Sequence, residues 1–512
     1  MAFKIDIFGT RPTPVDRVRH WLARPLSGAA PVVVLVAALA SVAMLAWAVD
    51  GPALGDASLS IFTTWLIAHA NLACAYPAKL TSPHTYVTSV LTSPLYPMIA
   101  AAFVYILRIG HGVPFPNAAE IGHACANTYT ALDTWANNAY ALQPTLWIGM
   151  VSWVALVVAL FVYLKVNGDF TRRRAVVLIV GALGAPVYLA LMIYFHPQDL
   201  LALSFIVFSL VGAARERWLM AGIAIGLGLL SQQFVVLAAI PLLFACPRRY
   251  LARFLLGAVV GAVPIGLILL AATSGSAILP IILGSDRVIP GAGASVVSQG
   301  GSWLWELHLH GAAAFFAARV LPVAASLFVS LWARRRWDVV SRPETLVALV
   351  GLSLSMRLVF EQNIFSYYFV GVFVMLVLVA ATLKSRVDLI ALWIAVHFVG
   401  FETMQHVTRL WSFRVTPSYD RIPAWGLVVI LLGLTILNLR ERRVILYQPV
   451  GLVIVVMTSH SLLWGLNPAA ASVPYWFLQL LLVPWAIALF VDALRNHTVG
   501  PRSNDDVLVS AE

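Results

Sequence analysis

An all-α fold, a polytopic bundle of transmembrane helices, is what this sequence predicts, and three observations predict it. Of 512 residues 61% are hydrophobic and only 11% charged, with a mean hydropathy of +0.88. That balance suits a chain surrounded by lipid. Apolar runs of helical length recur from residue 31 to residue 494. Basic residues gather between those runs, at Arg172-Arg173-Arg174, Arg248-Arg249 and Arg334-Arg335-Arg336, the pattern of cytoplasmic connections. The net charge of +11 therefore reads as topology and not as a nucleic-acid footprint.

Each element follows from its length and flanks. Residues 1–30 carry Lys4, Arg11, Arg17, Arg19 and Arg24 and form a basic cytoplasmic N-terminus, which sends the first helix, Pro31 to Val49, outward. That run is long and lacks a small-residue cleavage site, so it is expected to remain as a membrane helix. The polar insertion 50–144 must lie outside the hydrocarbon, because lipid leaves unpaired backbone groups unsatisfied. Within it, Pro94 to Leu107 is expected to lie along the surface or re-enter.

Helix two, Leu146 to Leu164, descends to Lys165 and the first arginine run. Helix three, Ala175 to Phe195, rises to the turn His196-Pro197-Gln198-Asp199, and helix four, Leu200 to Ala213, descends to Arg215 and Arg217. Trp218 to Leu230 and Phe234 to Ala245 are each too short to span, so they read as a broken hairpin around Ser231-Gln232-Gln233. Helix seven, Phe254 to Ala272, leads to a second outer loop, 273–311, with Asp286, Arg287, Trp303, Trp305, Glu306, His308 and His310.

Helices eight (Ala312 to Trp332), nine (Thr345 to Phe360) and ten (Ser366 to Leu383) follow. Val387 to Met404, Ala424 to Leu439, Val444 to Leu466 and Pro474 to Leu494 bring the total to about 14 spanning segments. The chain thus divides into the N-terminus 1–30, a core 31–385 with outer loops 50–144 and 273–311, C-terminal helices 386–494 and a cytoplasmic tail 495–512. Both termini are expected in the cytoplasm of a multi-pass cell-membrane protein.

Topology leaves a few basic residues unexplained on the outer side: Lys79, Arg108, Arg287, Arg319, Arg357, Arg409, Arg414 and Arg421. Arg357 lies near the outer end of helix nine and Arg319 one or two turns into helix eight. A charge at the bilayer centre costs about 2.5–3.5 kcal/mol on insertion scales, so each either faces the bundle interior or snorkels to the headgroups. Facing one cavity, the pair would make a cationic seat for a lipid phosphate, with guanidinium forks matched to its oxygens.

Asp56, some residues beyond the first helix, either caps the amphipathic stretch that follows or acts as a general base on an acceptor hydroxyl; Asp50 could exchange places with it. His196, Gln198 and Asp199 sit at a helix-capping turn able to position a sugar or a phosphate, or simply to satisfy itself. Glu361, Gln362, Asn363, Tyr367 and Tyr368 form a corresponding junction, where tyrosines also suit an aromatic belt. Cys74 and Cys125 share the first outer loop and either pair as a disulfide or remain free thiols; Cys246 is expected in the cytoplasm. No phosphate-cradling glycine loop, nucleophile elbow or metal-ligand spacing is present in the sequence.

Four motifs recur in a known order: Asp56 through Tyr76-Pro77 and Ser93-Pro94-Leu95-Tyr96-Pro97; His196-Pro197-Gln198-Asp199; Gly226-Leu227-Gly228-Leu229-Leu230-Ser231-Gln232-Gln233; and Arg357-Leu358-Val359-Phe360-Glu361-Gln362-Asn363 with Tyr367-Tyr368. Across residues 30 to 385 they resemble the GT-C type integral-membrane glycosyltransferases, in particular the actinobacterial polyprenyl-phosphate mannosyltransferase-like group. Two departures stand out: Gln232 or Gln233 occupies a place where many relatives carry lysine, and 110–144 reads as an insertion.

The resemblance implies an inverting transfer of a sugar, mannose above all, from a polyprenyl-phosphate donor to a cell-envelope glycan or glycolipid at the outer face. Asp56 would be the base and Arg357, with Arg319, would hold the departing phosphate. His196, Gln198, Asp199, Gln233, Glu361, Asn363 and Tyr367 would contact substrate. No cofactor is expected, and a divalent metal is optional in such a scheme. A flippase or transporter of lipid-linked sugar, and an inactive relative serving as a scaffold, are the rival expectations; the sequence shows no inverted repeat in its hydropathy.

Overall fold

The computed structural model describes residues 14–48, 60, 63–64, 67–68, 93–107, 147–193, 195–273, 300–301, 313, 316–336, 343–361, 363–364, 366–382 and 483–495. The elements formed by these residues are helices, apart from the two-residue strands Gly300–Gly301 (β1) and Asn363–Ile364 (β2), which pair antiparallel. Arg172–Met192, Pro197–Ala214, Arg248–Ala271 and Phe316–Arg335 are long and apolar enough to cross a membrane. With shorter apolar helices packed among them, this is a membrane protein.

The N-terminal helix α1 (Pro14–Ala23) leads into α2 (Ala30–Ala48). The apolar piece within the first insertion forms α3 (Leu95–Leu107), whose 13 residues reach about 20 Å, short of a hydrocarbon core of about 30 Å. Its first turn is buried while Tyr105, Ile106 and Leu107 are exposed. The remainder of the first insertion, with Asp50, Asp56, Cys74 and Cys125, lies outside the described residues.

Helix α4 (Met150–Val166) packs on α5 (Arg172–Leu183), and Trp153 Nε1 donates to the Ala182 carbonyl at 2.7 Å. The expected third helix is not continuous. It breaks after Leu183 and resumes as α6 (Ala185–Tyr188), followed by a π turn, Leu189–Ile193. Pro186 is one cause, since proline cannot donate to the preceding turn. Helix α7 (Pro197–Ala214) then runs back beside α4.

The expected broken hairpin exists as α8 (Trp218–Ser231) and α9 (Val235–Ala245), with the break at 232–234. Its halves serve different neighbours: α8 packs against α7 and α10 (Leu251–Thr273), and α9 against α11 (Leu321–Arg336) and α12 (Pro343–Phe360). Ser209 Oγ binds the Ala221 carbonyl at 2.9 Å and Ser326 Oγ the Leu237 carbonyl at 3.3 Å, fastening each half to its own partner. Helix α13 (Val370–Thr382) packs on α12 and α5, and the helix 483–495 sets Phe490 against Gly351 of α12.

The α8–α10 seam rests on glycine. Gly222 lies against Phe254 and Ala258, and Gly226 against Ala258 and Ala262; Gly257 and Gly261 face Leu219 and Ile223 in return. Residue numbers rise together on both sides, so the helices run parallel. Gly222 and Gly226, like Gly257 and Gly261, are spaced four apart, which strips one face of each helix down to backbone. Small-residue faces of this kind let membrane helices approach closely.

One end of the bundle is basic. Arg174 caps the end of α4 through the Leu164 carbonyl at 2.8 Å and the Asn167 carbonyl at 2.7 Å, Arg173 reaches the Ala380 carbonyl, and Arg172 stacks on Trp21 at 4.8 Å. Arg249 pairs with Glu216 at 3.6 Å there as well.

Candidate functional site

At the opposite end, three stretches of chain converge. The first is the turn between the π segment and α7. Phe195 adopts a left-handed conformation, φ 53°, which a bulky side chain enters only under constraint. Its buried ring is held edge-on by Tyr96 of α3, with centroids 6.4 Å apart. This strain aims the next residues inward. His196 occupies the N-cap position of α7 without making a side-chain cap, which corrects the capping role expected of it; its ring instead stacks on Tyr367 at 4.2 Å and meets Gln198 Nε2 at 3.1 Å. Pro197 opens the helix, where a missing N–H does no harm. Asp199 falls in the first turn, favourable for a carboxylate at a helix N-terminus.

The second stretch is the break between α8 and α9. Gln232 is extended, φ −161° and ψ 143°, and its side chain hydrogen-bonds Asp199. Gln232 Oε1 accepts from the Gln233 backbone N–H at 3.3 Å. The sequence offered Gln232 or Gln233 at this place; the residue seated on Asp199 is Gln232, where the chain turns from helix to extended backbone. Phe234 supplies an aromatic face beneath Arg357, 5.2 Å away.

The third stretch ends α12. Arg357 Nε pairs with Glu361 Oε2 at 3.4 Å, one helical turn on, and its guanidinium lies 4.1 Å over the Tyr368 ring. Arg319 comes from another element, a π turn at Phe316–Val320, and its Nη1 stands 3.7 Å from the same Glu361 oxygen. Both π turns in the described residues thus border this cluster, in keeping with the placing of such turns at functional sites. Arg319 does not simply snorkel away: it joins Arg357 on one carboxylate that is itself only 7% exposed. Tyr367 and Tyr368 meet edge to face at 4.7 Å.

The arrangement holds two guanidinium groups, two carboxylates, an imidazole and two phenols within one partly enclosed cluster. Cation–π contact from Tyr368 and Phe234 helps retain Arg357 away from bulk water. Gln232, Phe234 and Tyr368 escaped the list of expected contacts because nothing local distinguishes them from a helix break and an aromatic belt. Asn363 belongs to β2, beside the cluster in sequence. Asp56 lies outside the described residues, as does Gln362. Among the described residues no three His, Cys, Asp or Glu side chains group as a metal-ligand set.

No protein-family model matches this chain, and no curated protein matches it. Among solved structures it is similar to the crystal structure of ArnT from Cupriavidus metallidurans bound to undecaprenyl phosphate. The two share 12% sequence identity over 92% of this chain and 79% of that one, with a TM-score of 0.42.

Proposed function

We propose that this chain is a GT-C type membrane glycosyltransferase that moves a hexose, mannose first among candidates, from a polyprenyl-phosphate donor to a cell-envelope glycan or glycolipid. The observation that carries the reading is the convergence of Arg319 and Arg357, from separate elements, on Glu361. Two half-buried guanidinium groups held together by one carboxylate are poised to exchange it for a phosphate. Their end of the bundle is opposite the basic end, and the positive-inside rule assigns the latter to the cytoplasm. The site then faces outward, where lipid-linked sugars are used without nucleotide.

In this reading Asp56 removes the proton of the acceptor hydroxyl. The acceptor oxygen attacks the anomeric carbon from the face opposite the phosphate, a new glycosidic bond forms, and the bond from the anomeric carbon to the phosphate oxygen breaks with its electron pair leaving on the phosphate. Configuration inverts. Arg357 and Arg319 stabilise the charge gathering on the departing lipid phosphate, a contribution commonly worth several kcal/mol. His196, Gln198, Asp199, Gln233, Glu361, Asn363 and Tyr367 contact the substrate, and the scheme calls for no cofactor, a divalent metal being optional.

The test is transfer by purified protein from a panel of undecaprenyl-phosphate sugars, comparing wild type with Asp56→Asn and Arg357→Ala. Loss of product by a factor of about 100 or more in each, with the donor still bound by Asp56→Asn, is expected. Movement of labelled donor across a vesicle membrane without product would point to a flippase instead.

A further inference from the structure

Asp199 is 1% exposed, and its Oδ1 has no hydrogen-bond partner among the described residues. Its other neighbours are assigned. Gln232 bonds the carboxylate, Arg357 is paired to Glu361 between two aromatic rings, and His196 is stacked on Tyr367 and bonded to Gln198. A buried polar oxygen left bare is unfavourable, and folded proteins rarely retain one without a use for it. The oxygen sits where the α7 turn, the α8–α9 break and the α12 end meet.

We propose that Asp199 Oδ1 is the acceptor for a hydroxyl of the transferred sugar, so that this corner of the cluster is a sugar subsite distinct from the phosphate seat at Arg319 and Arg357. The inference rests on the glycosyltransferase reading above and divides its site into two. Charge decides between ligands. A phosphate would be repelled by the bare carboxylate, whereas an ammonium would add a third cation to a cluster that already holds Arg319 and Arg357. A neutral hydroxyl donates one proton and adds no charge. Gln232 is then a positioning residue: by holding one carboxylate oxygen it points the other toward the sugar.

The experiment measures equilibrium binding to the purified full chain in nanodiscs, using undecaprenyl phosphate alone and undecaprenyl phosphate bearing mannosyl, glucosyl or galactosyl groups. Wild type should bind at least one sugar-bearing lipid more tightly than the bare one. Asp199→Leu should erase that advantage, about tenfold to a hundredfold, the range for hydrogen bonds to charged groups, and should not weaken binding of the bare lipid phosphate, because it removes a repelling group. Asp199→Asn, nearly isosteric and retaining a neutral acceptor, should fall between and guards against a folding defect. Deoxy-sugar donors should lose affinity in wild type but lose none further in Asp199→Leu at the hydroxyl concerned. Equal weakening of bare and sugar-bearing lipid would overturn the proposal by assigning Asp199 to the phosphate or the fold, and so would no weakening of either. If wild type binds neither lipid, the lipid-donor reading itself falls, a result separable from the other two.

Discussion

Replacing Gly226 by alanine adds one methyl group inside the close α8–α10 seam. That Cβ would lie 3.0 Å from Ala262 N and 3.0 Å from Gly261 Cα, and closer still to the Ala258 carbonyl oxygen. Comfortable contact begins at about 3.5 Å, so the helices must part by roughly half an ångström or more, and the atoms offered as obstacles are backbone that cannot rotate aside. Overpacking of this kind costs about 1–3 kcal/mol. Alanine returns about 1 kcal/mol through its better helix propensity. The net is a destabilisation of up to about 2 kcal/mol. Gly266 of α10 has nothing within 4 Å of its would-be Cβ, so Gly266→Ala retains the propensity gain, up to about 1 kcal/mol, without the clash. Unfolding free energies of both variants in mixed dodecylmaltoside–SDS micelles would decide the matter. The reasoning is refuted if Gly226→Ala equals or exceeds wild type, or if the two glycines respond alike.

Glu361 neutralises two arginines, and side chains of all three are no more than 26% exposed. Glu361→Gln should therefore lower stability by about 3 kcal/mol, the smaller end for breaking a buried pair, and undecaprenyl phosphate should raise the melting temperature of this variant more than that of wild type. An equal shift in both would argue against phosphate taking the carboxylate's place. Cys246, just past α9, has its thiol pushed up from 9.0 to about 11 by burial. Its maleimide labelling in the folded protein should be slow at pH 7 and climb about tenfold per pH unit toward pH 11. The sign for stability follows: the neutral thiol's contribution is complete below about pH 9 and is lost as pH rises through 11. Rapid labelling at neutral pH in the native state would contradict this.

The helices themselves could be read from the sequence because each needs only local information: an apolar run, a proline, a cluster of arginines. The α8 and α9 ends came out within a residue or so of expectation, and Arg357 and Glu361 announce their own contact by standing one helical turn apart. Pairings between distant residues had no such signal. Arg319 could reach headgroups or bundle interior with equal ease until packing of its π turn against α12 fixed its direction. The choice of Gln232 over Gln233 at Asp199 hangs on one extended residue at a helix break. The glycines at 222, 226, 257 and 261 were plain to see, yet spacing alone does not say which helix meets which, or in which direction. Periodicity and charge thus determined where this chain is helical and apolar. Tertiary packing decided which helices lie side by side and which carboxylate holds both arginines, because those contacts join residues that no local preference links.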